Sequence, residues 1–329
     1  MNTRHIVLWF AFAGVLLVAE SGPTLPAIPA GTAASTSKLP QIKIRVGLSR
    51  RLLQAINETD GRNILLANAQ NTGAAMGMDV QFAAGGFMDG ADLAQAIAHG
   101  EVDLATMPAD EFARLPHTQV RSEVLTAFAG GKCDEEYLLL VRKDSPYRSL
   151  AALVNRRLNV QQSIKSHLAL LWLDYLTRQS GLGPAETVFP TMRIAAKPSQ
   201  VILPVFFGQA DAAIATRHSL EVLAELNPGV ARELEPIAVS PRTVSAILCF
   251  RSGASDELVA RTLASIRHMR ATPMGRQALT LFQIDQFDVA PADVLTSTCA
   301  LVAAHDNLVG SGPAARANAM AGRPGTETP

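Results

Sequence analysis

The sequence predicts an α/β fold with mainly parallel strands, built as two lobes of related construction. Three observations predict it. Strand-like and helix-like stretches alternate along the 329 residues, joined by short connections. At 48% hydrophobic, the chain can bury two modest cores. One internal echo then divides it: Gly100-Glu101-Val102-Asp103-Leu104-Ala105-Thr106 resembles Gly208-Gln209-Ala210-Asp211-Ala212-Ala213-Ile214-Ala215-Thr216. Each copy is a helix stop, an aspartate, and a small-residue strand ending in threonine.

The elements follow in order from local chemistry. Ile42, Ile44 and Val46 alternate with Lys43 and Arg45, the period of a strand. A helical stretch is expected from Arg51 to Met76, then a short strand at Val80 to Phe82. Gly85-Gly86 reads as a loop, and Asp89 as the cap of a helix from Ala91 to His99, stopped by Gly100. Val102 to Met107 reads as a buried strand ended by Pro108. Val120 to Ala127 is partly apolar and precedes a Gly130-Gly131 loop. Glu136 to Arg142 reads as a strand, Ser149 as the cap of a single turn ending near Leu153, and Leu158 to Val160 as a strand. An amphipathic helix is expected at Ser166 to Arg178, extended chain at Val188 to Ala195, and a helix at Val201 to Phe207. Asp211 to Ala215 reads as a strand, Ser219 to Leu226 as a helix, and Val244 to Phe250 as a strand. Helices are expected at Asp256 to Arg270, Pro273 to Phe282 and Pro291 to His305.

The two ends differ from the body. Arg4 and His5 precede an uncharged apolar run, Ile6 to Ala19, of about 14 residues. That suits a signal-peptide core and falls short of the ~20 residues a spanning helix needs. Residues 1–21 are therefore expected to direct export to the periplasm. Residues 22–40 are rich in Pro, Ala, Ser, Thr and Gly, a linker composition, and residues 307–329 form a tail of similar character. Formal net charge is zero, so no basic stripe points to nucleic acid. Aromatics are 5%, few for a carbohydrate or base-stacking surface. Cys133, Cys249 and Cys299 are widely spaced and form no C-x-x-C pair.

Against that frame of strands and helices, several stretches resemble a known family. Val141-Arg142-Lys143-Asp144-Ser145-Pro146, with Ser149-Leu150-Ala151-Ala152-Leu153 and Arg156-Arg157-Leu158, is similar to the passage between lobes in type II periplasmic binding proteins. Thr272-Pro273-Met274-Gly275-Arg276-Gln277-Ala278-Leu279 resembles their late helix start, and Gly100 to Asp103 their helix–Gly-x-x-Asp–strand pattern. The closest resemblance, over about residues 41–305, is to the phosphate, phosphite and phosphonate receptors of ABC importers. A TAXI-type receptor of a TRAP transporter is the nearest rival, and a ligand-sensing module for a membrane kinase uses the same fold. The resemblance implies mixed sheets flanked by helices, with lobe one formed by residues 41–138 plus 244–306 and lobe two by 139–243. It implies hinge crossings near Glu136 to Arg142 and Val244 to Phe250. Cys133 and Cys249 lie near those strands, where a disulfide would stiffen the hinge. It also implies a small anionic ligand, a membrane permease as partner, a monomer and no cofactor.

In open α/β sheets, ligands bind beyond the carboxyl ends of the strands. Asp103 and Asp211 start their strands, so they read as structural turn residues. Thr106 and Thr216 end theirs and face the cleft. The stretch Gln161-Gln162-Ser163-Ile164-Lys165-Ser166-His167 leaves a strand and opens a helix, where free N–H groups attract an anion. The resembling receptors carry a hydroxyl-rich Ser-Thr-Ser-Gly loop here. Gln162, Ser163, Ser166 and His167 are thus ligand candidates. The alternatives are N-capping for the serines and a half-buried helix position for His167. Ser49 and Arg50 occupy the matching place in lobe one, Arg50 either gripping an oxyanion or solvated. Phe87 either covers the ligand or joins the core. Tyr137 reads as a wall beside the hinge, and His218 as a contributor after Thr216.

Enzyme motifs are missing from the sequence: no G-x-S-x-G, H-E-x-x-H, P-loop or G-x-G-x-x-G occurs, and seven histidines are scattered without ligand spacing. The expectation is a receptor and not an enzyme.

Overall fold

Apolar residues at alternate positions pull the first strand into a sheet, and the rest of lobe one assembles around it. The computed structural model describes residues 42–53, 58–163, 166–281 and 283–310. The expected signal segment and linker, Ile164, Lys165 and the residues beyond 310 lie outside the described residues. The order begins β1 (Ile42–Ser49), α1 (Glu58–Ala75), β2 (Met78–Met88), α2 (Gly90–Ala98), β3 (Leu104–Pro108), α3 (Ala109–Ala113) and β4 (Val120–Phe128). It crosses through β5 (Asp134–Glu135) into β6 (Tyr137–Arg142), β7 (Leu158–Gln161), α4 (Ala169–Gln179), α5 (Ala185–Val188), β8 (Met192–Ala195), α6 (Pro198–Phe206), β9 (Ala212–Thr216), α7 (Arg217–Leu226), α8 (Pro228–Glu233) and β10 (Leu234–Val239). It returns through β11 (Thr243–Val244) to β12 (Ala246–Arg251), α9 (Asp256–His268), α10 (Pro273–Leu281), β13 (Gln286–Val289) and α11 (Ala292–Gly310).

Two mixed sheets result. The six-stranded sheet runs β13-β4-β12-β3-β1-β2, and the five-stranded sheet β10-β6-β9-β7-β8. The parallel pairs β1/β2 and β1/β3 of the first match β7/β8 and β7/β9 of the second. The next strand in each, β12 or β6, is antiparallel and adjoins the crossing between lobes. The echo read from sequence is therefore an architectural repeat. Gly100 and Gly208 both close their helices at φ of 70°, a left-handed conformation glycine adopts without a Cβ clash. Asp103 accepts from the Arg45 main-chain N–H and its guanidinium at 2.8–2.9 Å, and from Arg251 at 2.7 Å. Asp211 does the same with Arg157 at 2.9–3.1 Å. Both aspartates brace the strand beginnings, as expected of turn residues.

Other details depart from the sequence reading. Gly85-Gly86 is not a loop but lies within β2. The partner of Val46 is Phe82 and that of Leu48 is Phe87, so the intervening residues bulge from the ladder. Left-handed φ at Ala84 (45°) and Gly86 (101°) absorbs the excess without ending the strand. The crossing itself is the short ladder of β5 with β11, just before each expected hinge strand. The short elements α5, α8, β10 and β13 lack a sequence signal, and α11 runs five residues past His305. Cys133, Cys249 and Cys299 are all free. Cys249 is buried in β12 between Ala105 and Val124, and burial pushes its thiol up to about 12. It is an apolar filler of the sheet, and no disulfide joins it to Cys133 across the hinge.

One core cluster continues from lobe one into lobe two, through Phe112, Val244, Leu301, Tyr137 and Trp172. The outer faces of the two sheets carry a cluster each, around Val46 and Phe250 and around Leu138 and Val205. The strand tips of both lobes thus meet over a shared apolar floor.

Candidate functional site

Strand tips supply the site. Ser49 ends β1, fully buried, and its hydroxyl accepts from the Arg51 N–H at 3.2 Å. The chain then makes a 3-10 turn, Arg50–Leu53. Consecutive side chains on such a turn point about 120° apart, at three residues per turn. Arg51 turns inward and Arg50 outward. Arg50 is 60% exposed and keeps only a 3.6 Å ion pair with Asp89. Arg51 bonds Asp110 at 2.7 Å and Glu111 at 3.3 Å. Asp110 also receives Arg114, one helical turn on, at 3.1 Å. The inward arginine at this tip is therefore the neighbour of the one expected.

In lobe two, Gln161 ends β7 and accepts from the Thr216 N–H at 3.2 Å. The Gln162 N–H donates to the Ala195 carbonyl, and the residue is half-buried. The Ser166 hydroxyl accepts from the Ser163 N–H at 2.8 Å and lies 3.0 Å from the Ser163 hydroxyl. The two serines thus tie up their own loop, and α4 starts later than expected, with Leu168 as an N-cap that offers no side-chain bond. Thr216 is the N-cap of α7, accepting from the Ser219 N–H at 3.1 Å and bonded to its hydroxyl at 2.9 Å. Its hydroxyl thus caps a helix at the strand end. Phe87 packs with Val46 and Leu104 in the lobe-one core, because the β2 bulge returns it to register beside Leu48. Thr106 faces an apolar chamber inside lobe one. His218 lines a cavity of about 170 Å³ at the crossing, with Lys132, Asp134 and Ser245.

His167 and Tyr137 carry the site across the seam between lobes. Among the described residues, four buried side-chain atoms lack a well-formed hydrogen bond: Asp110 Oδ1 and Glu111 Oε2 of lobe one, Tyr137 OH at the start of β6 beside the crossing, and His167 Nε2 of lobe two. They share one neighbourhood, since Asp110 acts electrostatically on both Tyr137 and His167, and Arg51 acts on His167. Burial, aided by the Arg51 charge, pulls the His167 imidazole down to about 4. Burial likewise raises Glu111, against the bonds from Ser49 and Arg51. At neutral pH His167 is uncharged, and the Glu111 carboxyl holds its proton more tightly than usual. A buried polar atom left unpaired costs about 1–3 kcal/mol. Four such atoms gathered in one neighbourhood make this seam the candidate site. The sequence reading missed Arg51, Asp110 and Glu111. The strand-tip rule that found Ser49 also reaches Asp110 and Glu111, which open α3 directly behind β3.

Among the described residues, no group of three His, Cys, Asp or Glu side chains could hold a metal ion. No helix there is long and apolar enough to cross a membrane.

The sequence matches the model of a family described as ABC transporter, phosphonate, periplasmic substrate-binding protein, over residues 70–295. This chain belongs to that family. The receptors of this family bind small anions, work with an ABC importer permease and are exported to the periplasm. Among solved structures, the chain is similar to XAC2383 from Xanthomonas citri bound to ATP. That match has a TM-score of 0.52 and 16% identity, covering 81% of this chain and 98% of that one. A binding protein component of an ABC phosphonate transporter from Pseudomonas aeruginosa matches with a TM-score of 0.50 and 19% identity, over 86% of this chain and 94% of that one. These likenesses agree with the two-lobed fold. Among curated proteins, none matches this sequence.

Proposed function

We propose that this phosphonate-receptor family member is an exported monomer without catalytic activity that captures a small oxyanion in the seam. Closed over its guest, it presents the joined lobes to a membrane permease. The observation that carries this reading is the set of four unpartnered atoms contributed by both lobes. A tetrahedral oxyanion with one protonated oxygen complements them. Tyr137 OH and the His167 Nε2–H tautomer donate, and Asp110 Oδ1 accepts from the protonated oxygen. In this reading Ser49, Arg51, Tyr137, Ser163, Ser166 and His167 surround the ligand. Binding groups on both lobes make closure and capture one equilibrium.

Tyr137→Phe is the cleanest test, because it deletes a buried hydroxyl whose polar neighbours, the Thr243 side chain and the Leu168 main chain, make no well-formed hydrogen bond with it. Calorimetric titration with methylphosphonate, phosphate and sulfate should show binding by the wild type. The variant should bind about tenfold more weakly, the effect of one hydrogen bond to a charged group, with its unfolding midpoint kept. Equal affinity in both proteins overturns the placement, and no heat from any of the three anions overturns the ligand class.

A further inference from the structure

Lobe one holds an apolar cavity of about 190 Å³ that the anion-binding reading does not use. It lies between the six-stranded sheet and α1, α9 and α10. Val46, Leu48, Leu104, Phe82 and Ile266 are among its walls, and the polar lining is slight: Asn68 and Thr72 already bond each other at 3.4 Å. A cavity of roughly 150 Å³ with such walls stays dry and accepts a benzene-sized guest. This one is larger, and it is not remote from the seam. Leu48 lines it, and the next residue, Ser49, is a strand tip of the site. Ala127, Ala246 and Ile284 are shared with the polar cavity at the crossing, where Lys132, Ser245 and His218 stand. Two of these three shared wall residues are alanines, so the partition between the two spaces is thin.

We propose that this apolar chamber is a subsite for the hydrocarbon part of the ligand, which makes the preferred guest an amphipathic oxyanion: a charged head on an alkyl or phenylalkyl tail of about six to eight carbons. The head occupies the polar seam at Ser49, and the tail enters the chamber past the preceding residue, Leu48. This rests on the anion-binding reading for the head and stands on separate residues for the tail. No bond is made or broken, and the selectivity is one of burial: each methylene moved from water into the chamber tightens binding about fourfold.

The test is a calorimetric series of methyl-, butyl-, hexyl- and octylphosphonate on the full chain. Affinity should climb with chain length and level off near the longest member. Ala278→Leu and Ala69→Leu each add bulk to a chamber wall away from the seam. Both should leave methylphosphonate affinity unchanged and flatten the climb, and two variants guard against one that fails to fold. If methylphosphonate binds and longer tails bind no better, the chamber proposal is overturned while the anion reading survives. If no phosphonate binds, 1-hexanol followed by amide NMR decides. Shifts confined to Ala69, Thr72 and Ala278 keep the chamber and sink the head-group assignment, and no shifts there sink the chamber too.

Discussion

His167 shows how a single side chain links the stability of the fold to the chemistry of the site. Its imidazole is 6% exposed, and burial with the nearby Arg51 charge favours the neutral form, while Asp110 opposes this. The folded state therefore binds a proton only near pH 4, and the unfolded chain near 6.5. Between those values the unfolded state holds more protons, so stability is full above pH 6.5 and lost as pH falls towards 4. The loss amounts to about 3 kcal/mol at one tenfold step per pH unit. Glu111 has the opposite sign, because its raised value removes stability as pH climbs through it. Comparing wild type with His167→Gln separates the two. Urea unfolding between pH 4.5 and 7.5 should show a falling limb in the wild type that is missing from the variant. Parallel curves for both proteins would show that His167 does not titrate in this window.

At the scale of elements, the doubled glycine–aspartate motif gives a comparison internal to one chain. Asp103 and Asp211 brace the starts of equivalent strands but in different surroundings. The Asp103 side chain is 5% exposed and serves two arginines, whereas Asp211 answers to Arg157, itself half exposed. Burial works against the Asp103 carboxylate, yet the Arg45 and Arg251 bonds outweigh it and hold it below the usual range. Asp103→Ala should cost about 3 kcal/mol, the penalty of breaking a buried pair. Asp211→Ala should cost about 1 kcal/mol, that of an ordinary hydrogen bond. Chemical denaturation measures both, and equal losses would refute the ranking. The motif was legible in the sequence because its signal is local: a helix stop, a carboxylate and an apolar strand. Elements such as β10 and β13 were not. Pro236 interrupts β10 at a register shift on a sheet edge, and the short Gln286–Val289 edge strand is only partly buried, so neither shows a clean two-residue period. The site was half legible for the same reason. Ser49, Ser163 and His167 follow from strand ends, but which of Arg50 and Arg51 turns inward depends on a turn that periodicity does not encode. Adjacent acids such as Asp110 and Glu111 look solvated in the sequence, and their burial comes from residues distant along the chain, such as Ser49 and Arg51.

For the whole molecule, the question is what holds the seam shut, and α11 provides an answer. It packs beside α3 of lobe one, where Asp306 bonds Arg114 at 2.8 Å. The preceding His305 reaches α4 of lobe two, its Nε2 lying 2.9 Å from Asp174 Oδ2. Asp174 is held there by the Ala185 N–H at 2.8 Å and by Arg178. The helix is thus a clasp whose two neighbouring side chains grip opposite lobes. Loss of one such partly buried bond is worth about 1 kcal/mol, near fivefold in an open–closed equilibrium. His305→Ala should therefore leave the lobes folded but populate an open form. Small-angle scattering of the ligand-free variant should give a larger radius of gyration than the wild type. Saturating methylphosphonate should return it to the wild-type value, since a guest bridging both lobes replaces what the clasp lost. At a hundredfold excess over Kd such a guest adds about 2.7 kcal/mol of stability. For a chain of this size that is roughly 5 °C in the unfolding midpoint. An identical radius in both proteins, with and without ligand, would show that α11 packs against lobe two without governing its movement.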